Sequence, residues 1–283
     1  MDSHPLTTGA RRGAAAPFAP VPPTGAADWN QVALEWQQTP RAAVWRAHSD
    51  AVYGALLDRW LPRDGLTRIL KTDLFDEAVS AGVYPCLAAR AGAVIGVDLA
   101  HITARQAVRR HPDLNAAGAD VRGLPFPDGA FDAVVSLSTL DHFPARADLE
   151  SSLAELRRVL RAGGTLVLTL DNLSNPLIRL RNLLPFALVH RTGLVPYFVG
   201  ESCTPRTAAA LLGALGFRVD ETTAVLHVPR VAAVPAAALV QRYGGPAGCA
   251  RFLAHLLAWE RLARWPLRTL TGHYVALRAT KLV

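Results

Sequence analysis

The chain has 283 residues, 51% of them hydrophobic and 19% charged. That length and apolar content exclude a globally disordered protein and supply material for one large domain with its own core. The net charge of +7 would admit nucleic acid as a partner, but the arginines are scattered, only Lys71 and Lys281 are lysines, and no basic run forms a nucleic-acid footprint.

The first 27 residues are rich in Ala, Pro, Gly and Thr and read as a disordered tail. Pro17, Pro20, Pro22 and Pro23 interrupt any apolar leader, and no stretch is long enough to span a bilayer. Over 28–64, Val44, Val52, Leu56 and Trp60 recur at helical spacing, and Pro40 splits the segment in two. This predicts a helical cap that either closes a ligand site or merely covers a sheet edge.

The sheet is expected to begin at Thr67-Arg68-Ile69-Leu70. Strand, helix and strand then alternate through Leu170, which predicts parallel pairing with right-handed crossovers in an α/β, Rossmann-like, doubly wound sheet. Leu153, Leu156, Val159 and Leu160 mark a helix over 151–160, and Gly163-Gly164 turns the chain into the next strand. An unusually apolar connection over 176–202 follows, as either a lid-like insert or a buried helix. A helix over 203–215, a strand over 217–228, a mostly helical stretch over 235–265 and a closing strand over 274–280 complete one domain spanning 28–283. Cys86, Cys203 and Cys249 are far apart and odd in number, so neither a disulfide framework nor a metal site is expected, and a reducing cytoplasm is the default compartment.

Three apolar runs end in polar residues on what would be one rim of that sheet. Ala93-Val94-Ile95-Gly96-Val97 ends on Asp98, and Asp120 opens Asp120-Val121-Arg122-Gly123-Leu124-Pro125-Phe126. Phe131-Asp132-Ala133-Val134-Val135-Ser136 leads to Asp141-His142, and the next strand ends at Asp171. In this order the segments resemble the class I S-adenosylmethionine-dependent methyltransferases, in particular their small-molecule branch. The resemblance covers roughly 65–283, with 65–175 as the cofactor-binding half and 203–283 as the C-terminal part of the sheet. It implies a last strand antiparallel to the rest and S-adenosylmethionine as cofactor.

On that resemblance Asp98 accepts hydrogen bonds from both ribose hydroxyls, with Leu99 beside it, because one carboxylate offers two oxygens to two adjacent donors. Capping of the helix near Ile102 is the other reading of Asp98. Asp120 would contact the adenine amino group while the Val121 amide reads a ring nitrogen; the alternative is an Asp that only stabilises a turn. Ser136 would line the site. His142 is the candidate general base on an acceptor, with Asp141 or Asp171 orienting that acceptor. Structural readings compete here too: a loop–helix junction for His142, and an Asp/Asn turn for Asp171-Asn172.

One family feature is replaced. Where an acid and spaced glycines follow the first strand, this chain has Lys71-Thr72-Asp73-Leu74-Phe75-Asp76-Glu77-Ala78. Glycine there lets the backbone approach the ligand closely. Three outcomes stay open: a remodelled loop in which Lys71 and an acid such as Asp73 hold the cofactor's polar ends, a different nucleotide-like ligand or cofactor reaction, or a scaffold that has lost its cofactor. Leu74 and Phe75 could occupy part of the cofactor's volume. The reaction implied is methyl transfer to a small acceptor, and the leucines of 176–200 would suit a greasy pocket for an apolar one or a membrane surface.

Overall fold

The computed structural model describes residues 25–38, 43–185 and 199–283. Two helices, α1 (Ala26–Gln38) and α2 (Ala43–Trp60), precede the sheet, on either side of Pro40. Most of the expected tail lies outside the described residues, and α1 begins within its last two positions.

The sheet strands are β1 (Leu66–Thr72), β2 (Ala91–Asp98), β3 (Asn115–Gly118), β4 (Phe131–Leu137), β5 (Leu160–Asp171), β6 (Phe217–Val225) and β7 (Tyr274–Lys281). They lie in the order β3-β2-β1-β4-β5-β7-β6. β1, β2, β3, β4 and β5 pair in parallel, whereas β7 runs antiparallel to both β5 and β6. The strand order reverses between β1 and β4, and at such a switch point the carboxyl ends of the strands open a crevice.

Strand alternation sends adjacent side chains to opposite faces, which is why a doubly wound sheet needs near-continuous apolar runs. Ile69, Ala133, Val135, Val167 and Ala276 pack on one face with Leu56, Leu57 and Trp60 of α2. Leu70, Val134, Leu166, Leu168, Val275 and Leu277 pack on the other, against Leu149, Leu153 and Leu156 of the helix Arg146–Val159. Each wholly buried leucine contributes roughly 1.5–3 kcal/mol of hydrophobic stabilisation.

Two boundaries differ from the periodicity. The helix before β5 starts at Arg146 rather than Ser151, five residues early, because Leu149 and Ser152 continue its buried stripe. Gly163, at φ 70°, lies inside β5 rather than in a separate turn, and the β4–β5 register shifts between Phe131 and Ala133. The stretch expected to be mostly helical resolves into Arg230–Tyr243, Gly245–Ala258 and a 3-10 segment Trp259–Arg264. Within 176–202, helix α3 (Pro176–Leu183) is capped by the Asn175 side chain, which accepts from the Leu177 amide at 2.9 Å; 186–198 lies outside the described residues.

Candidate active site

A cleft of about 230 Å³ opens at the carboxyl ends of the parallel strands. Its floor is made by the loop after β1, the end of β2 and the segment after β3, with Thr72, Asp98, Leu99, Asp120 and Val121 in its wall. Its roof comes from Trp29 and Val32 of α1 and from Trp45, Arg46 and Tyr53 of α2. His142 and Phe143 close one side, Arg230 and Tyr274 another.

The loop after β1 is built by its own unusual residues. Asp73 adopts a left-handed backbone, φ 63°, in the place where glycine was expected; aspartate is among the few side chains that tolerate it. Its amide donates to the Val97 carbonyl at 2.8 Å, and its carboxylate accepts from the Phe75 amide at 2.8 Å. Lys71 is buried, donates to the Asp73 carbonyl and pairs with Glu77 at 2.8 Å. Glu77 accepts in turn from the Val83 amide at 2.9 Å. The Lys71 ammonium is therefore committed to the protein, and it fixes the shape that glycines would otherwise allow.

Leu74 does not line the cleft. It is wholly buried beneath the loop, and a Cβ on Gly96 would fall 2.5 Å from its side chain. Gly96 is thus the vacancy that lets Leu74 turn inward. Phe75 lines the cleft, with the Arg46 guanidinium 5.1 Å from its ring centre and Arg46 itself paired to Asp76.

Asp98 Oδ2 accepts from the Leu74 amide at 2.9 Å and Oδ1 from the Ala100 amide at 2.7 Å. These bonds hold the carboxylate at the end of β2 and leave each oxygen capacity for a second donor. They reach neither of the next amides of the helix beginning at His101, so the contact is a brace between two loops rather than a helix cap. Burial and the neighbouring Asp73 push Asp98 up to about 7. Asp120 is gripped by the Arg122 fork, at 2.6 Å from Nη2 and 3.0 Å from Nε, while Arg122 also reaches Asp148 at 2.8 Å. Hydrogen bonding from Arg122 holds the Asp120 carboxyl below its usual range.

Of the three residues proposed for acceptor chemistry, only His142 lines the cleft, with its ring 5.3 Å from that of Trp29. Asp141 is buried, accepts from the Ser138 hydroxyl at 3.2 Å and is pushed up to about 7 by burial. Asp171 is also buried, 2.6 Å from Arg181 and 3.6 Å from His273, and against its burial the Arg181 charge holds it below the usual carboxylate range. Both acids therefore stand behind the rim, where they support Ser138 and α3. Ser136 is wholly buried and accepts from the Thr72 hydroxyl at 2.9 Å; Ser138, two residues on, lines the wall instead. Tertiary packing adds Tyr53, Arg122, Arg230 and Tyr274, which the motif order alone did not select. Tyr53 is buried next to Val52 of the predicted helical stripe, whereas Arg230 and Tyr274 carry no local signal.

Residues 61–168 match the family model described as a methyltransferase domain. Over this stretch the chain is similar to the class I S-adenosylmethionine-dependent methyltransferases. The chain is 45% identical over 78 residues to the "Demethylmenaquinone methyltransferase" of Thermus thermophilus, an alignment covering 26% of the chain and about a third (34%) of that relative. It is 28% identical over 201 residues to a "Probable S-adenosylmethionine-dependent methyltransferase" of Mycolicibacterium smegmatis, covering 71% of the chain and 68% of the relative. In fold it is similar to an S-adenosylmethionine-dependent methyltransferase from Methanosarcina mazei, with a TM-score of 0.54 at 18% identity over 81% of this chain and 97% of that one.

The residues present fit S-adenosylmethionine, the cofactor that this likeness implies. The space between Asp98, Asp120 and the β1 loop is one open cleft, Leu74 is withdrawn from it, and Asp98 keeps acceptor capacity toward it. Among the described residues no helix is long and apolar enough to cross a membrane.

Proposed function

We propose that this chain transfers a methyl group from S-adenosylmethionine to a small, largely apolar molecule held under α1 and α2. The observation that carries the reading is the continuity of one cleft from Asp98 and Asp120 to His142 and the aromatic roof of Trp29, Trp45 and Tyr53. Cofactor and acceptor ends share a single space, as a direct transfer between two bound molecules requires.

Asp98 accepts from the ribose hydroxyls through the lone pairs its two loop amides leave open. Leu99 and Val121 flank the base, and the Asp120 carboxylate, steadied by Arg122, faces the adenine edge. When bound, the cofactor supplies an activated methyl group for in-line displacement by the acceptor's nucleophilic atom. His142 takes the proton that the acceptor loses, and Trp29 against its ring limits its rotation. Asp141 and Asp171 act through neighbours: Asp141 holds Ser138, and Asp171 holds Arg181 and His273. Lys71 and Asp73 serve binding indirectly, by shaping the loop.

An apolar acceptor suits a roof of two tryptophans and a tyrosine, and the demethylmenaquinone methyltransferase name of one relative is consistent with a ring-bearing acceptor. Nucleic acid is not the acceptor favoured, because the cleft is roofed by aromatic side chains rather than an open basic groove. Three free cysteines suit a reducing cytoplasm. Calorimetric titration with S-adenosylhomocysteine tests the reading first. Micromolar binding that Asp98→Ala weakens supports it; no heat and no thermal shift at millimolar ligand would sink it.

A further inference from the structure

Helix α3 is turned inside out. Its inward residues are Ile178, which is buried, and Arg181, drawn to Asp171 at 2.6 Å. Its outward residues are Leu177, Leu180 and Leu183, followed by Leu184, and Leu180 and Leu183 are 56% and 75% exposed. A surface helix ordinarily buries its leucines and exposes its arginines. A second apolar strip lies beside it: Trp265 and Leu267 are each 61% exposed, and Leu270 is exposed as well. The two strips are joined by the Asn172 amide donating to the Thr269 carbonyl at 2.6 Å and the Asn175 amide donating to the Thr271 carbonyl at 3.1 Å.

The charge carried by these two segments themselves has one sign. Neither 176–185 nor 261–273 contains an Asp or Glu, and Arg179, Arg261 and Arg264 are exposed among the apolar residues. We propose that this face seats the protein on an anionic lipid surface. The leucines and Trp265 enter the acyl boundary while the arginines meet the headgroups. A second copy is disfavoured because a self-complementary contact brings cation against cation. The segment 186–198, whose sequence holds Arg191 and no acid, offers no charge complement either. The inference goes beyond methyl transfer and does not rest on it.

The test is sedimentation of the full chain with phosphatidylcholine vesicles, with and without phosphatidylglycerol, at low and high salt. The expected result is binding to the anionic vesicles that weakens about tenfold on neutral vesicles or in high salt. The double variant Leu180→Glu, Leu183→Glu should lose about tenfold more, with its melting temperature unchanged because both positions are exposed. Absence of binding to either vesicle overturns the proposal. So does binding that the double variant retains, or a concentration-dependent dimer that the double variant abolishes, which would assign the face to a second copy. S-adenosylhomocysteine titration of the same samples reports separately on the methyltransferase reading.

Discussion

Lys71 Nζ lies 2.8 Å from Glu77 Oε2, and neither side chain is more than 4% exposed. Burial alone would lower the lysine's pKa, but Glu77, Asp73 and Asp76 together raise it above its usual value. The pair ties the end of β1 to the short helix Phe75–Val79 and so sets the position of Asp73 and Phe75 in the cleft.

Breaking that pair on one side should be costly. Lys71→Met leaves a buried carboxylate uncompensated, and a loss of about 3–5 kcal/mol is expected in urea unfolding. The double variant Lys71→Met, Glu77→Gln keeps an acceptor for the Val83 amide and should recover much of that loss. A double variant no better than the single one would show that the ion pair is not what holds the loop.

Asp98 gives ligand binding a pH dependence of defined sign. Ribose hydroxyls donate, so the ligand selects the carboxylate form of a group pushed up to about 7 by burial and by Asp73. Affinity for S-adenosylhomocysteine should fall as the pH drops, to about tenfold weaker at pH 6 than at pH 8. Asp98→Asn should bind weakly at both values with a flat profile. A wild-type profile as flat as that of the variant would remove Asp98 from the ribose contact.

The ligand-free protein should behave in the opposite way with respect to stability. Burial raises Asp50 to about 6 and both Asp98 and Asp141 to about 7. Between the unfolded carboxylate value, near 4, and pH 7, the folded state binds more protons than the unfolded one. Their contribution to stability is therefore lost as the pH rises through that window. Thermal unfolding should show a higher melting temperature at pH 5 than at pH 8, and Asp141→Asn should reduce the difference while keeping an acceptor for Ser138.

His142 can be separated from cofactor binding. His142→Ala should lower kcat by roughly 10²–10⁴-fold if the imidazole takes the acceptor's proton, with S-adenosylhomocysteine affinity little changed. Stopped-assay product formation with a phenolic acceptor panel measures this. A variant with full kcat would mean that alignment of an already nucleophilic acceptor suffices.

Much of the architecture was legible from the chain alone. The apolar runs ending at Val97, Ser136 and Leu170 are strands because a sheet covered on both faces needs unbroken hydrophobic segments, and each run ended on the rim that bears the cleft. Asp98 and His142 could be placed there from strand position only. The loop at 71–78 was not legible in the same way. Lys71 looked like a ligand for a carboxylate because a sequence does not show that Glu77, six residues later and across a turn, already neutralises it.

By itself the sequence determined the order of strands and helices, the rim on which the polar residues gather, and the absence of the usual glycines after β1. Those are local properties, carried by side-chain periodicity and by residue type. Tertiary structure alone decided which polar residues face the cleft. Arg230 and Tyr274 reach it from distant segments, while Asp141, Asp171 and Ser136 are turned into the protein by partners that no spacing encodes. It also decided that α3 buries Arg181 and exposes its leucines, because a buried carboxylate at Asp171 requires a cation more strongly than the leucines require cover.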